Sequence, residues 1–171
     1  MDDNFSPKVK DVIAYSKEEA LRLGHDFIGT EHLMLGILRK AKGEAYDILN
    51  TFELNFSSLR KKIELLHEVG PTHKEVNDKK SLHLTKQAEK ALKTTFLEAK
   101  LYKSEAISTA HLLLCILRNE NDPTTKVLHN VDVFYEDVKE VFQELFTDSN
   151  ENDITESPRA ETPPEEFNEP K

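Results

Sequence analysis

Seven histidines and one cysteine are the residues of this 171-residue chain with the most chemical potential. Cys115 lies in the run LLLCIL. A reactive thiolate needs an exposed, electropositive setting, and an apolar helical run supplies the opposite. Cys115 therefore reads as a buried packing residue, and no motif supports a catalytic set of Cys115, His111 and Glu105. His32 and His111 each stand near the start of an apolar segment, in TEHL and TAHL. A metal or catalytic pair would need further ligands to complete a tetrahedral set, and none is apparent. Both read as histidines that hydrogen-bond a neighbouring loop and fix a turn. His67, His73 and His83 fall in a polar stretch without cysteines or convergent acids, so no metal site is expected. None of the five glycines precedes a lysine, so the G-x-x-x-x-G-K-[ST] phosphate-binding loop is missing and ATP hydrolysis by that route is excluded. Glu31 is the more interesting acid. It follows Thr30, read as a helix N-cap, so its carboxylate belongs to an exposed first turn where the helix dipole favours negative charge.

The elements that must position these residues come from a duplication. Shifting the chain by 79 residues lays 5–39 over 84–118 without a gap. Among the identical pairs are Glu19/Glu98, Ala20/Ala99, Ile28/Ile107, Thr30/Thr109, His32/His111 and Arg39/Arg118. The offset continues apolar on apolar through Leu49/Leu128, Ile63/Phe142 and Leu66/Leu145. Each copy reads as four helices, with no strand expected in either. Ser6 caps the first and Pro7 takes its first helical position, where a missing N–H costs nothing. Val9, Val12, Ile13, Ser16 and Ala20 fall on one helical face, as do Ala88, Ala91, Leu92, Thr95 and Ala99 in the second copy. Gly24 reads as the C′ residue of the first helix. EHLMLGILR and AHLLLCILR are apolar all round and must be central. Asn55 and Asp132 read as caps of the last helix of each copy. The fold expected is all-α, a pseudo-two-fold pair of four-helix repeats forming one eight-helix domain. Its parts are 1–66, a polar connection 67–83, and 84–146.

Composition bounds the rest. The net charge of −9 argues against a nucleic-acid binder. One cysteine excludes an internal disulfide framework and suits a reducing compartment. No apolar run approaches the length of about 18 residues that spans a membrane. The start, MDDNFSPKVKD, lacks the basic and apolar regions of a secretory signal. A cytoplasmic location is expected. Residues 147–171 hold four of the seven prolines and eight acids against two bases, which reads as a disordered acidic tail or tether.

With EEALRLGHDFIGTEHLMLGILR in its first copy, the repeat resembles the N-terminal Clp repeat domain of AAA+ Clp unfoldases, most closely the ClpC type, over about residues 5–146. The resemblance implies a duplicated helical bundle on a flexible linker from ATPase modules. It implies a domain that receives adaptor proteins and substrates, which the ATPase ring threads into a partner peptidase. ATP and Mg would belong to a parent chain; this chain itself would need no cofactor and catalyse nothing. In ClpC-type domains the Glu of the GTEH motif helps to recognise phosphorylated arginine. That role maps onto Glu31, and Ser6 matches the family's Thr at the start of the first helix. Thr85 keeps the hydroxyl in the second copy and ranks behind them, because Ala110 replaces the acid there. Pro7 removes one N–H from the first helix. At most one of two pseudo-equivalent pockets is then intact, with Ser6 and Glu31 as its contacts. Two functions are compatible with this: the docking domain of a ClpC-like unfoldase, or a stand-alone accessory protein that regulates a Clp machine. A nucleic-acid-binding bundle is disfavoured by charge.

Overall fold

Ser6 begins the first helix as its residue type predicts, its Oγ accepting from the Val9 N–H at 3.3 Å while Pro7 occupies the first position. The computed structural model describes residues 5–67, 82–101, 103 and 106–147. The first copy comprises α1 (Pro7–Arg22), α2 (Thr30–Lys40), α3 (Glu44–Leu49) and α4 (Phe56–Glu64). The second comprises α5 (Lys86–Leu101), α6 (Thr109–Arg118), α7 (Pro123–Asn130) and α8 (Tyr135–Phe142), which continues into a π-helical turn at Gln143–Thr147. Most of the connection expected at 67–83, and the acidic tail from 148 onward, lie outside the described residues.

The stripes predicted for the first helix of each copy are inside, except that Ile13 is only partly buried. Val9, Val12, Ser16 and Ala20 are fully buried, and Ala88, Ala91, Thr95 and Ala99 match them. Residues 30–38 of α2 and 109–117 of α6 are buried without exception, so both apolar helices are central. Gly36 lets α2 approach α1 closely: a Cβ there would stand 2.6 Å from the Val12 carbonyl oxygen and 2.7 Å from Ser16 Oγ. Gly24 ends α1 with φ +75°, the left-handed conformation of a C′ glycine.

Two details of the helix starts correct the sequence reading. The N-cap of α2 is Gly29, and Thr30 is the first helical residue. Asn55 caps α4 as expected, its Oδ1 accepting from Ser58 N–H at 3.0 Å, but its counterpart at α8 is Phe134, which has no capping oxygen. Asp132 instead takes φ +63° in the preceding turn, a conformation that short polar side chains tolerate.

A short parallel ladder, absent from the sequence reading, ties the copies together crosswise. β1 (Phe27–Ile28) pairs with β2 (His83–Leu84), and Phe5 forms an isolated parallel bridge with Ile107. The Thr85 N–H donates to Ile28 O and the Ser6 N–H to Ile107 O, both at 2.9 Å. Adding 79 to residues 6 and 28 gives 85 and 107, so these bonds are images of one another under the pseudo-two-fold. Strands of two residues carry no periodicity, which is why they could not be read from pattern. The crossing recurs where α2 meets α7 and α6 meets α3. Thr30 Oγ1 donates to Asp122 Oδ1 at 2.8 Å, and Ala45 N–H donates to Thr109 Oγ1 at 2.9 Å. Each copy therefore completes the helix starts of the other.

Candidate functional site

The two central helices begin with the same device. Gly29 N–H donates to His32 Nδ1 at 2.9 Å, and Ser108 N–H donates to His111 Nδ1 at 2.9 Å. Each histidine thus closes a capping box, satisfying a backbone donor at its own helix start. A ring that accepts at Nδ1 while neutral carries its proton on Nε2. His32 Nε2–H accordingly donates to His25 Nδ1, 2.8 Å away. Burial pushes His32 down to about 3, helped by neighbouring His25 and His67, and pushes His111 down to about 4. Both rings are neutral turn-fixing groups. No group of three or more His, Cys, Asp or Glu among the described residues could hold a metal. Cys115 is buried, and desolvation raises its thiol to about 11, far from a reactive thiolate.

Glu31 follows the first of these caps. It is buried, with only 6% of its surface exposed, rather than lying on an open first turn. Its carboxylate folds back over Gly29, where a Cβ would stand 1.9 Å from Oε1, so the glycine makes the seat possible. Oε2 has no aligned hydrogen-bond donor among the described residues. Its close neighbour is His67 Nδ1 at 2.5 Å. The half-exposed His67 ring packs edge-on to Phe27 and His25, with centroids at 5.2 and 5.8 Å. Nothing in the sequence pattern ties residue 67 to residue 31; the contact arises because α4 returns the chain to the start of α2.

The hydroxyls predicted to accompany Glu31 are sorted by the crosswise ladder. His32 hydrogen-bonds His25 just past the end of α1, whereas Ser6 caps the start of that 16-residue helix, so the length of α1 separates Ser6 from the start of α2. Ser6 is joined instead to Ile107, beside Ala110. Thr85 is joined to Ile28, beside Glu31, and its Oγ1 accepts from the Ala88 N–H at 3.1 Å to cap α5. The structure thus separates Ser6 from Glu31 and brings Thr85 to the strand that leads into the start of α2. Both departures from the family pattern, Pro7 and Ala110, fall together at the opposite locus. The starts of α2 and α5 converge at Glu31, juxtaposing a buried carboxylate with a second helix N-terminus. Such a site offers a negative seat beside backbone N–H groups that favour an anion. It suits a ligand carrying both charges.

Elsewhere an open cavity of about 400 Å³ lies between α5 and the α6–α7 connection, lined by Lys90, Thr94, Asn119 and Asp122. Asp122 there is already engaged by Thr30 and by the Thr124 N–H. No helix among the described residues is long and apolar enough to cross a membrane.

Comparison with known proteins places this geometry. The family described as the Clp repeat (R) N-terminal domain matches residues 4–131. A probable ATP-dependent Clp protease ATP-binding subunit of Chlamydia pneumoniae is 34% identical over 148 residues, covering 86% of this chain and 17% of that protein. The negative regulator of genetic competence ClpC/MecB of Bacillus subtilis is 33% identical over 129 residues, 75% of this chain and 15% of that protein. The chain thus spans about a sixth of the length of these relatives. The N-terminal domain of the chaperone ClpD from Arabidopsis thaliana superposes with a TM-score of 0.65 at 13% identity, covering 82% of this chain and 96% of that one. At that identity the likeness concerns the fold.

Proposed function

The chain belongs to the Clp repeat N-terminal domain family, and on that premise we propose that it is the substrate- and adaptor-docking domain of a ClpC-like ATP-dependent unfoldase. Its partners are adaptor proteins and unfolded or tagged substrates, which the ring and peptidase of a parent assembly then process. The domain supplies recognition; ATP and Mg act in the motor.

The observation that supports a recognition role is the convergence of Glu31 and the Thr85-capped start of α5. In a phosphorylated arginine the phosphoryl group is bonded to a guanidinium nitrogen, so a donor site for its oxygens must lie beside an acceptor for the remaining N–H groups. Glu31 takes the guanidinium through charge-assisted hydrogen bonds, displacing His67 from that position. The first N–H groups of α5 and the Thr85 hydroxyl take the phosphoryl oxygens. The opposite locus has Ala110 in place of the acid, and Pro7 removes one N–H from its Ser6-capped helix start.

Calorimetric titration with a phosphoarginine peptide tests this. One equivalent should bind. Glu31→Ala should lose most of the affinity, and Thr85→Val should weaken it. Ser6→Ala should bind like the wild type. Absence of heat, or equal binding by Glu31→Ala, overturns the assignment.

A further inference from the structure

The open cavity beside α5 has a counterpart in copy one that the chain fills with its own side chains. At the matching place the Tyr15 ring lies against the Arg39 guanidinium, whose carbon is 4.6 Å from the ring centroid. Lys40 Nζ reaches from the end of α2 to Asp11 Oδ2 on α1 at 2.7 Å. Arg39 is at the same time held by Glu18 and Glu19, so an ion-paired arginine still carries a ring on its face.

The offset of 79 keeps that arginine as Arg118 and removes the groups around it. Tyr15 becomes Thr94, Asp11 becomes Lys90, and Lys40 becomes Asn119. None of the three replacements bridges the gap. Thr94 Oγ1 donates back to Lys90 O on its own helix at 2.8 Å. Asn119 Oδ1 accepts from the Asn121 N–H at 3.2 Å within its own turn. What remains is the cavity of about 400 Å³, with Lys90, Thr94 and Arg118 in its wall, more than enough for one phenol ring. Its charge is one-sided. Lys86, Lys90 and Lys93 are exposed and, at spacings of four and three residues, stand in one row on α5. Among the described residues none of the three is in an ion pair, and copy one has Pro7, Asp11 and Ala14 at their positions. Glu120 and Asp122 line the other wall, where Asp122 is engaged by Thr30 and the Thr124 N–H.

We propose that this cavity is a binding site for a tyrosine flanked by acidic residues in a partner-protein segment. The phenol takes the place that Tyr15 takes in copy one, over Thr94 and against Arg118, as a buried aromatic anchor. Arg118 is held by Glu98 and Tyr135 much as Arg39 is held by its own acids, which leaves it fixed in the wall. The flanking carboxylates lie along the row of Lys86, Lys90 and Lys93, away from Glu120 and Asp122. Neither Glu31 nor Thr85 is among the described residues that line the cavity, so the site does not depend on phosphoarginine binding.

Amide NMR of the full chain tests it, with N-acetyl-Asp-Tyr-Asp-amide as probe. The controls are the same peptide with alanine for tyrosine and the same peptide with asparagine for both aspartates. The expected result is saturable shifts of the Thr94, Arg118 and Asn119 amides. The probe should bind at least tenfold tighter than the alanine peptide and at least threefold tighter than the asparagine one. Thr94→Tyr gives copy two the filler of copy one, so it should bind the probe at least tenfold more weakly while melting no lower than the wild type. Lys90→Gln should keep the preference for tyrosine and lose much of the preference for aspartate. No saturable shift at these amides, equal binding of the probe and either control, or undiminished binding by Thr94→Tyr overturns the proposal.

Discussion

Acidification from pH 7.5 to 5 should destabilise the fold through the two capping histidines. Burial lowers His111 to about 4 and His32 to about 3, whereas in the unfolded chain each titrates near 6.5. Between those values the unfolded chain binds a proton that the folded chain refuses, so stability falls as pH falls through 6.5 and levels off near the folded values. At pH 5 the unfolded ring is almost wholly protonated and the folded ring almost wholly neutral, which gives about 2 kcal/mol for each histidine. The window stays above the ordinary carboxylate range. Replacing His111 by Gln keeps an N3 side chain able to reach back to the Ser108 N–H but removes the titrating ring. Urea unfolding at both pH values should show a loss of about 4 kcal/mol in the wild type and about 2 kcal/mol in His111→Gln. A wild type equally stable at the two pH values, or the same loss in the variant, would refute the assignment of neutral, turn-fixing rings.

Three further outcomes follow from packing and composition. Gly36→Ala should destabilise by about 1–3 kcal/mol in urea unfolding, because its Cβ would meet the Val12 backbone at 2.6 Å, which has little freedom to retreat. Glu19→Gln should cost about 1–3 kcal/mol by the same assay, since it removes the buried charge that three partly exposed arginines share. Deleting residues 149–171 should move the melting temperature by less than about 5 °C, since that stretch offers only Ile154 and Phe167 as large apolar residues to bury.

The duplication, the eight helices and the two buried central helices were legible because helical periodicity and a constant offset are local signals. The role of His32 and His111 was legible for the same reason: a histidine three residues past Gly29 or Ser108 acts within its own turn. What escaped was non-local. The cross-pairing of Phe5 with Ile107 and of Leu84 with Ile28 involves one or two residues at a time, too few to alternate. Missing it put Ser6 beside Glu31, whereas the parallel crossing brings Thr85 to the strand that leads into the start of α2. The arginines around Glu19 come from positions 22, 39 and 60, and only folding brings them together. Thr30 looked like a cap because threonine caps well, but its hydroxyl is drawn to Asp122 and Thr124 of the other copy, and glycine serves at the cap.

The docking role is tested most directly by transplantation. A ClpC-type unfoldase with its own N-terminal domain replaced by residues 1–147 of this chain can be assayed with its peptidase for breakdown of phosphoarginine-modified casein. Degradation should be faster than by the ring lacking any N-terminal domain, with the gain removed by Glu31→Ala and kept by Ser6→Ala. Degradation no faster than by the truncated ring, or a gain indifferent to Glu31, would contradict a docking role centred on that carboxylate.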